Sequence, residues 1–191
     1  MIAEEFLKSL RLESKIVKHK ELIDIVLYGS SVKGKRKIGD IDILFIFNNL
    51  PLEKRLEITQ AFKSKLKANN LDIKSINLRE FFDSTFLARQ GVLLEGISLR
   101  DKKPLAQKLG FESFTMFIYD SNKLSNTEKV KLAFALNGRR NEKGLIEKLN
   151  LQKFGNNRLL SPMENSNLFS EFLEKSKIDF KIENILISRY K

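Results

Sequence analysis

Two short apolar runs with a turn between them constrain this chain more than any other feature. Leu22–Tyr28 (LIDIVLY) reads as a buried strand, and Ile41–Phe47 (IDILFIF) as a second, too apolar to form an exposed edge. The chain turns at Gly29, passes through a charged loop at residues 33–39, and brings the second run back beside the first. A helix is expected before them, because Phe6, Leu7, Leu10, Leu12 and Ile16 recur at roughly helical spacing over residues 3–18. Pro51 suits the first turn of a helix running to Ala68, Asn69 and Asn70 end it, and residues 71–78 (LDIKSINL) resume a strand. The order helix, strand, strand, helix, strand calls for a mixed sheet with helices packed against it, an α/β (α+β) fold.

A further helix over residues 79–90 leads into GVLLEGISL, and composition shifts at Asp101-Lys102-Lys103-Pro104. The domain boundary is placed there, giving residues 1–101 as one domain and 102–191 as a small α/β domain. Within the latter, residues 114–119 read as a strand, and Ser125-Asn126-Thr127-Glu128 is a capping-box sequence opening a helix that Gly138 closes. Ser161-Pro162-Met163-Glu164 repeats that logic before a helix at residues 168–175, and residues 180–187 form a last strand.

Composition narrows the chemistry. The 191 residues are 42% hydrophobic, enough to bury a core. No apolar run approaches the roughly 20 residues of a membrane span, and MIAEEFLKSL lacks a basic secretory n-region, so a cytoplasmic protein with no membrane partner is expected. Cysteine is absent and His19 is the single histidine, which removes thiolate chemistry and Cys- or His-based metal clusters. Any metal must be held by oxygen. The net charge of +11 divides into +5 for residues 1–100 and +6 for 101–191, which suits a polyanionic partner, although Lys-rich helix faces are often only solvated.

The chemistry is concentrated at Tyr28-Gly29-Ser30 and Gly39-Asp40-Ile41-Asp42-Ile43. Strand alternation projects Asp40 and Asp42 together while Ile41 and Ile43 enter the core. Two carboxylates sharing one surface repel, and a hard divalent cation relieves this while leaving positions open for triphosphate oxygens and water. Gly29 lets the backbone approach a ligand closely, and Ser30 adds a hydroxyl and an N–H, a seat for phosphate. Lys33, Lys35, Arg36 and Lys37 either neutralise a triphosphate or form a solvated loop. The segment from Gly29 to Lys35 also fits the first seven positions of a P-loop, but Arg36 stands where a Ser or Thr must hold magnesium, and Gly39 interrupts the helix that should receive the phosphates.

With its hydrophobic residue, Gly29-Ser30, spacer and Asp40-Ile41-Asp42, the segment resembles the signature of the DNA polymerase β-like nucleotidyltransferase superfamily, in its minimal form. Lys33-Gly34 resemble the Arg-Gly pair that many members carry, and GVLLEGISL is similar to the segment closing minimal catalytic domains. The resemblance spans residues 22–99 and leaves the C-terminal half unexplained. It implies a polymerase β-type palm in which Asp40 and Asp42 bind two Mg²⁺ ions, with Mn²⁺ as a substitute, and Gly29, Ser30 and Lys33 hold a nucleoside triphosphate such as ATP. A third carboxylate on a later strand is implied too; Asp72 fits best, sharing a face with Lys74, and Glu80 or Glu95 are the substitutes. Gly39 departs from the Ser often found before the first Asp. The implied reaction moves a nucleoside monophosphate to a hydroxyl acceptor with release of pyrophosphate. The basic residues Lys129, Lys131, Arg139, Arg140, Lys143, Lys153 and Arg158 suggest nucleic acid, preferably RNA, as the acceptor, bound by residues 102–191. Minimal members also act on a protein partner, as the antitoxins paired with HEPN ribonuclease toxins do, and a basic nucleic-acid-binding module with a vestigial site is the third reading.

Overall fold

The computed structural model describes residues 19–29, 32, 40–66, 70–140 and 142–188. The helix expected at residues 3–18, Ser30, and the loop with Lys33, Lys35, Arg36, Lys37 and Gly39 lie outside the described residues. The chain divides into two compact units, Met1–Phe111 and Glu112–Lys191. Residues 102–111, expected beyond the boundary, pack with the first unit: Lys103 and Pro104 pair antiparallel with Ser98 and Ile97, Leu105 and Ala106 are buried, and an ion pair adds to this. Lys108 reaches back to Asp24, 2.7 Å away, and to Asp101.

In the first unit the two apolar runs are strands β1 (Leu22–Tyr28) and β2 (Ile41–Phe47), followed by α1 (Leu52–Lys63), β3 (Leu71–Asn77), α2 (Leu78–Phe82), α3 (Arg89–Glu95), β4 (Ile97–Ser98), β5 (Lys103–Pro104) and α4 (Leu105–Lys108). The sheet order is β3-β2-β1-β4-β5. Strands β1 and β2 pair antiparallel, with Leu27 opposite Ile43 and Tyr28 opposite Asp42, whereas β2 and β3 run parallel. This is the mixed α+β architecture expected. Strand β2 is central and covered on both faces, which explains its lack of polar alternation. Ile43, Phe45 and Phe47 pack with Ile25, Leu27 and Phe62 on one face. On the other, Leu44 and Ile46 join Val26, Phe81, Val92 and Leu105. Phe45 and Phe47 are fully buried, each worth roughly 1.5–3 kcal/mol of transfer free energy. Helix α1 presses Phe62 edge-on against Phe45, ring centroids 5.0 Å apart.

Two helix expectations need correction. Helix α1 ends at Lys63, short of Ala68. The helix expected over 79–90 is instead the pair α2 and α3, because Asp83 accepts hydrogen bonds from the Thr85 N–H (2.9 Å) and hydroxyl (2.7 Å) and so offers the backbone a turn in place of a helix.

Buried polar groups fasten the sheet. Asp24 is 2% exposed; its carboxylate accepts from the Ser98 hydroxyl (2.8 Å), the Ile25 N–H (2.8 Å) and the Lys108 ammonium (2.7 Å), tying β1 to β4 and α4. Arg55, also buried, crosses from α1 to donate to the Ser75 carbonyl (3.2 Å) and to both oxygens of Glu80 (2.6 and 3.2 Å). Glu80 in turn caps α2 by accepting from the Asn77 N–H (2.8 Å).

The second unit contains β6 (Phe111–Asp120, which begins in the first unit), α5 (Asn126–Asn137), β7 (Gly138–Arg139), β8 (Glu142–Lys143), α6 (Leu145–Lys148), β9 (Gln152–Lys153), β10 (Arg158–Pro162), α7 (Ser166–Lys175) and β11 (Asp179–Ser188). A four-stranded sheet in the order β11-β6-β10-β9 buries Phe117 and Leu159 against Leu132, Leu136, Phe169 and Leu173. The capping box at Ser125 forms as read, the Glu128 side chain accepting from the Ser125 N–H (2.8 Å), and Gly138 ends the helix with φ of +87°. The second expected cap does not form. Ser161 lies inside β10, fully buried, its hydroxyl donating to the Pro162 carbonyl (3.0 Å), and α7 starts at Ser166.

The Arg55–Glu80 pair yields a stability prediction. The Arg55 guanidinium, outweighing burial and helped by the Asn77 N–H, holds the Glu80 carboxyl below its ordinary value. A depressed carboxylate contributes stability that is present above its unfolded pKa and is lost as pH falls through the lower folded value. Glu80→Gln should cost about 1–2 kcal/mol near pH 7, below the value for a fully buried pair because Glu80 is half-exposed. The gap from the native chain should close as pH drops below the ordinary carboxylate range, which urea titrations at several pH values would measure.

Candidate active site

The site forms at one end of the first sheet, where β1 finishes and β2 and β3 begin. Asp40 immediately precedes β2, Asp42 is its second residue, and Asp72 is the second residue of β3. Register sets Asp42 directly beside Asp72 on one flank and beside Tyr28 on the other. The Asn70 carbonyl accepts from the Ile41 N–H at 2.8 Å and starts this parallel pairing. Of the residues predicted from sequence, the structure therefore gathers Gly29, Asp40, Asp42 and Asp72 at one sheet end. Glu80 is committed to Arg55 and the α2 cap, and Glu95 is a buried residue of α3.

Gly29 is fixed by the carboxylates. Its φ of +77° is in the left-handed region, and a Cβ there would collide with the Asp42 carboxylate. The turn beyond it closes with the Val32 N–H donating to the Gly29 carbonyl (3.2 Å), and Val32 packs on the core beneath the sheet. Glycine thus lets the backbone pass over Asp42.

Charge is crowded at this end. Burial pushes the Asp42 carboxyl above its ordinary value, Asp72 adds to the push, Lys74 works against it, and Asp40 contributes a smaller repulsion. Lys74, two residues along β3, pairs with Asp72 at 3.2 Å, and that hydrogen bond, with the fields of Tyr28 and Asp72, raises its own pKa. The Tyr28 phenol is raised by burial, against the pull of Lys74. Tyr28 was missed as a site residue, although the alternation that buries Leu27 places its neighbour on the face of Asp42. Among the described residues no three His, Asp or Glu side chains close on one point. The donor set nonetheless suits a hard cation: every candidate ligand is a carboxylate oxygen, and the mutual repulsion recorded in the raised Asp42 is what such a charge would relieve.

Residues 11–101 match the family model described as polymerase beta, nucleotidyltransferase. The matched residues, 11–101, have the character of a polymerase β-type nucleotidyltransferase domain, the same family that the Gly29-Ser30 and Asp40-Ile41-Asp42 segment resembles. Two solved structures are similar. One is a mutant of the toxin–antitoxin pair MntA–HpeT, 28% identical, covering 44% of this chain and 67% of that one, with a TM-score of 0.33. The other is the tri-AMPylated HEPN toxin of Shewanella oneidensis in complex with the MNT antitoxin, 29% identical, covering 50% of this chain and 66% of that one, with a TM-score of 0.31. Neither likeness, at such TM-scores, bears on what this chain acts on. No curated protein matches.

Because the folded state raises the Asp42 pKa, its ionisation weakens the fold as pH rises from the ordinary carboxylate value through the higher folded one. In metal-free buffer at pH 7, Asp42→Asn should therefore melt at or above the native temperature, and the difference should vanish below the ordinary carboxylate range. A lower melting temperature at pH 7 would show that Asp42 is held by favourable contacts and not crowded by like charge.

Proposed function

We propose that the protein transfers a nucleoside monophosphate from a nucleoside triphosphate, ATP among them, to a hydroxyl acceptor, with Asp40, Asp42 and Asp72 as the catalytic carboxylates. The observation that carries this reading is the pairing of Asp42 with Asp72 across β2 and β3, beside a glycine turn whose positive φ disfavours other residues and where a Cβ would press on the Asp42 carboxylate. Asp40 and Asp42 would hold two Mg²⁺ ions, or Mn²⁺ in their place, with Asp72 on the acceptor side; so bound, the ions would neutralise the triphosphate and lower the pKa of the attacking hydroxyl.

The chain's own residues have separate tasks. By the family resemblance, Gly29 and Ser30 would offer backbone N–H groups and a hydroxyl to the β- and γ-phosphates, and Lys33 a counter-charge to the leaving pyrophosphate. Asp72, beside Asp42 in the sheet register, would take the proton of the acceptor hydroxyl. Lys74 holds Asp72 by its ion pair and so orients it. The acceptor oxygen then bonds to the α-phosphorus in line as the bond to the β-phosphate oxygen breaks and pyrophosphate departs. RNA is the first acceptor to try and a protein hydroxyl the second.

Incubation with each labelled nucleoside triphosphate, Mg²⁺, and RNA, DNA or candidate partner proteins tests the reading. Asp40→Ala and Asp42→Ala should each lower transfer by about 10³-fold or more, since several kcal/mol of charge stabilisation are lost. Neither should unfold the chain. Asp72→Asn should bind nucleotide with little change yet react slowly, whereas near-native turnover in any of the three would remove that residue from the chemistry.

A further inference from the structure

The second unit contains a cavity that the transfer reading does not use. It measures about 400 Å³, within the size range of small-molecule sites, and lies between helix α5 and the turn joining β9 to β10. Its floor is the core itself: Leu132, Leu136 and Leu159 are buried there, with Ile146 packed against them. Its rim is cationic, formed by Lys129, Lys153 and Arg158, and no carboxylate lines it among the described residues.

These cations are placed by the fold and left free for a ligand. Lys129, Leu132, Leu136 and Asn137 recur along α5 at spacings that share one helix face. The Asn137 side chain donates to the Ala133 carbonyl (2.9 Å), which aims its own oxygen to accept from the Lys153 ammonium (3.0 Å) arriving from β9. Arg158 follows Asn157, a non-glycine residue with φ of +54° whose carbonyl is anchored by the Tyr119 N–H (3.0 Å). Neither Lys129, Lys153 nor Arg158 has a carboxylate partner among the described residues. The surrounding sequence has the same bias, since residues 129–158 hold eight Lys and Arg against two Glu. The two glutamates, Glu142 and Glu147, lie outside the lining, and Glu147 is already paired with Lys143.

An apolar floor beneath three unneutralised cations selects a ligand with a flat apolar part and a phosphate. Asn137, Asn156 and Asn157 add amides that both donate and accept, as the edges of a base require. We propose that this cavity binds a phosphorylated nucleoside unit, base toward Leu132 and Leu136 and phosphate toward Lys153 and Arg158. The unit is either a free nucleotide or one residue of a single-stranded RNA. The proposal does not depend on the transfer reading.

Binding by the full chain in EDTA, which disfavours occupancy of the carboxylate site, tests it with three probes: 5′-AMP, adenosine, and a 5′-phosphorylated ten-nucleotide oligoadenylate. AMP or the oligonucleotide should bind and adenosine at least about tenfold more weakly, with affinity falling by roughly 0.7 log unit per log unit of salt for each strand phosphate contact. Lys153→Gln combined with Arg158→Gln should weaken binding tenfold or more. Arg139→Gln, outside the lining, and Asp42→Asn, in the other unit, should leave it unchanged. Lys129→Gln, on an exposed helix position, gives the same readout should the double variant fail to fold. Comparable affinity for AMP and the oligonucleotide identifies the free nucleotide as the source, and binding of the oligonucleotide alone identifies a strand. Failure of both phosphorylated probes to bind, indifference to the cavity variants, or loss caused by Asp42→Asn would overturn the proposal.

Discussion

Everything at the carboxylate end of the first sheet depends on placing like charges side by side where the strands are otherwise apolar. The parallel pairing of β2 with β3 sets Asp42 against Asp72, and the antiparallel pairing with β1 brings Tyr28 to the other flank. None of these contacts is favourable for an ionised Asp42. What holds the arrangement is the remainder of β2, where Ile43, Leu44, Phe45 and Phe47 are fully buried. Transfer of such side chains from water supplies roughly 1.5–3 kcal/mol each, enough for the strand to tolerate one crowded carboxylate at its mouth. Lys74 offsets part of the repulsion from within the same strand as Asp72.

The polar groups deeper in the first unit have a different role. Asp24 and Arg55 are more buried than the site carboxylates, yet each has its partners: Asp24 has Ser98, Ile25 and Lys108, and Arg55 has Glu80 and Ser75. Paired buried charges specify which elements meet, and Arg55 does so through its two terminal nitrogens although its buried Nε has no partner. Glu80 is committed to Arg55 and the α2 cap, whereas Asp40, Asp42 and Asp72 stand at the sheet end that the proposed transfer would use.

Much of this was legible in the sequence. Strands β1 and β2 coincide with their apolar runs, because a central strand covered on both faces must be continuously apolar. Asp40 and Asp42 followed from strand alternation, and Asp72 from the resemblance; Gly29 was expected as a ligand turn, but its collision with Asp42 needed coordinates. What could not be read depends on contacts between residues distant in sequence or on local competition for the backbone. Lys108 binds Asp24 across 84 positions, so no composition shift near Asp101 could have placed the unit boundary beyond it. Asp83 turns a helical pattern into two helices through a single side-chain acceptor. Ser161 has the look of an N-cap, but pairing with Thr115 on β6 draws it into a buried strand.

The two units also show opposite uses of unpaired charge. In the first, carboxylates gather and recruit a lysine from their own sheet; in the second, Lys129, Lys153 and Arg158 line one cavity, with a neutral amide holding Lys153. Asn137 is suited to that task because it orients an ammonium without neutralising it, whereas an acid at the same position would fill the cavity's electrostatic demand from within. The bond from Lys153 to Asn137 keeps the ammonium at the cavity rim without neutralising it, as the proposed phosphate site requires.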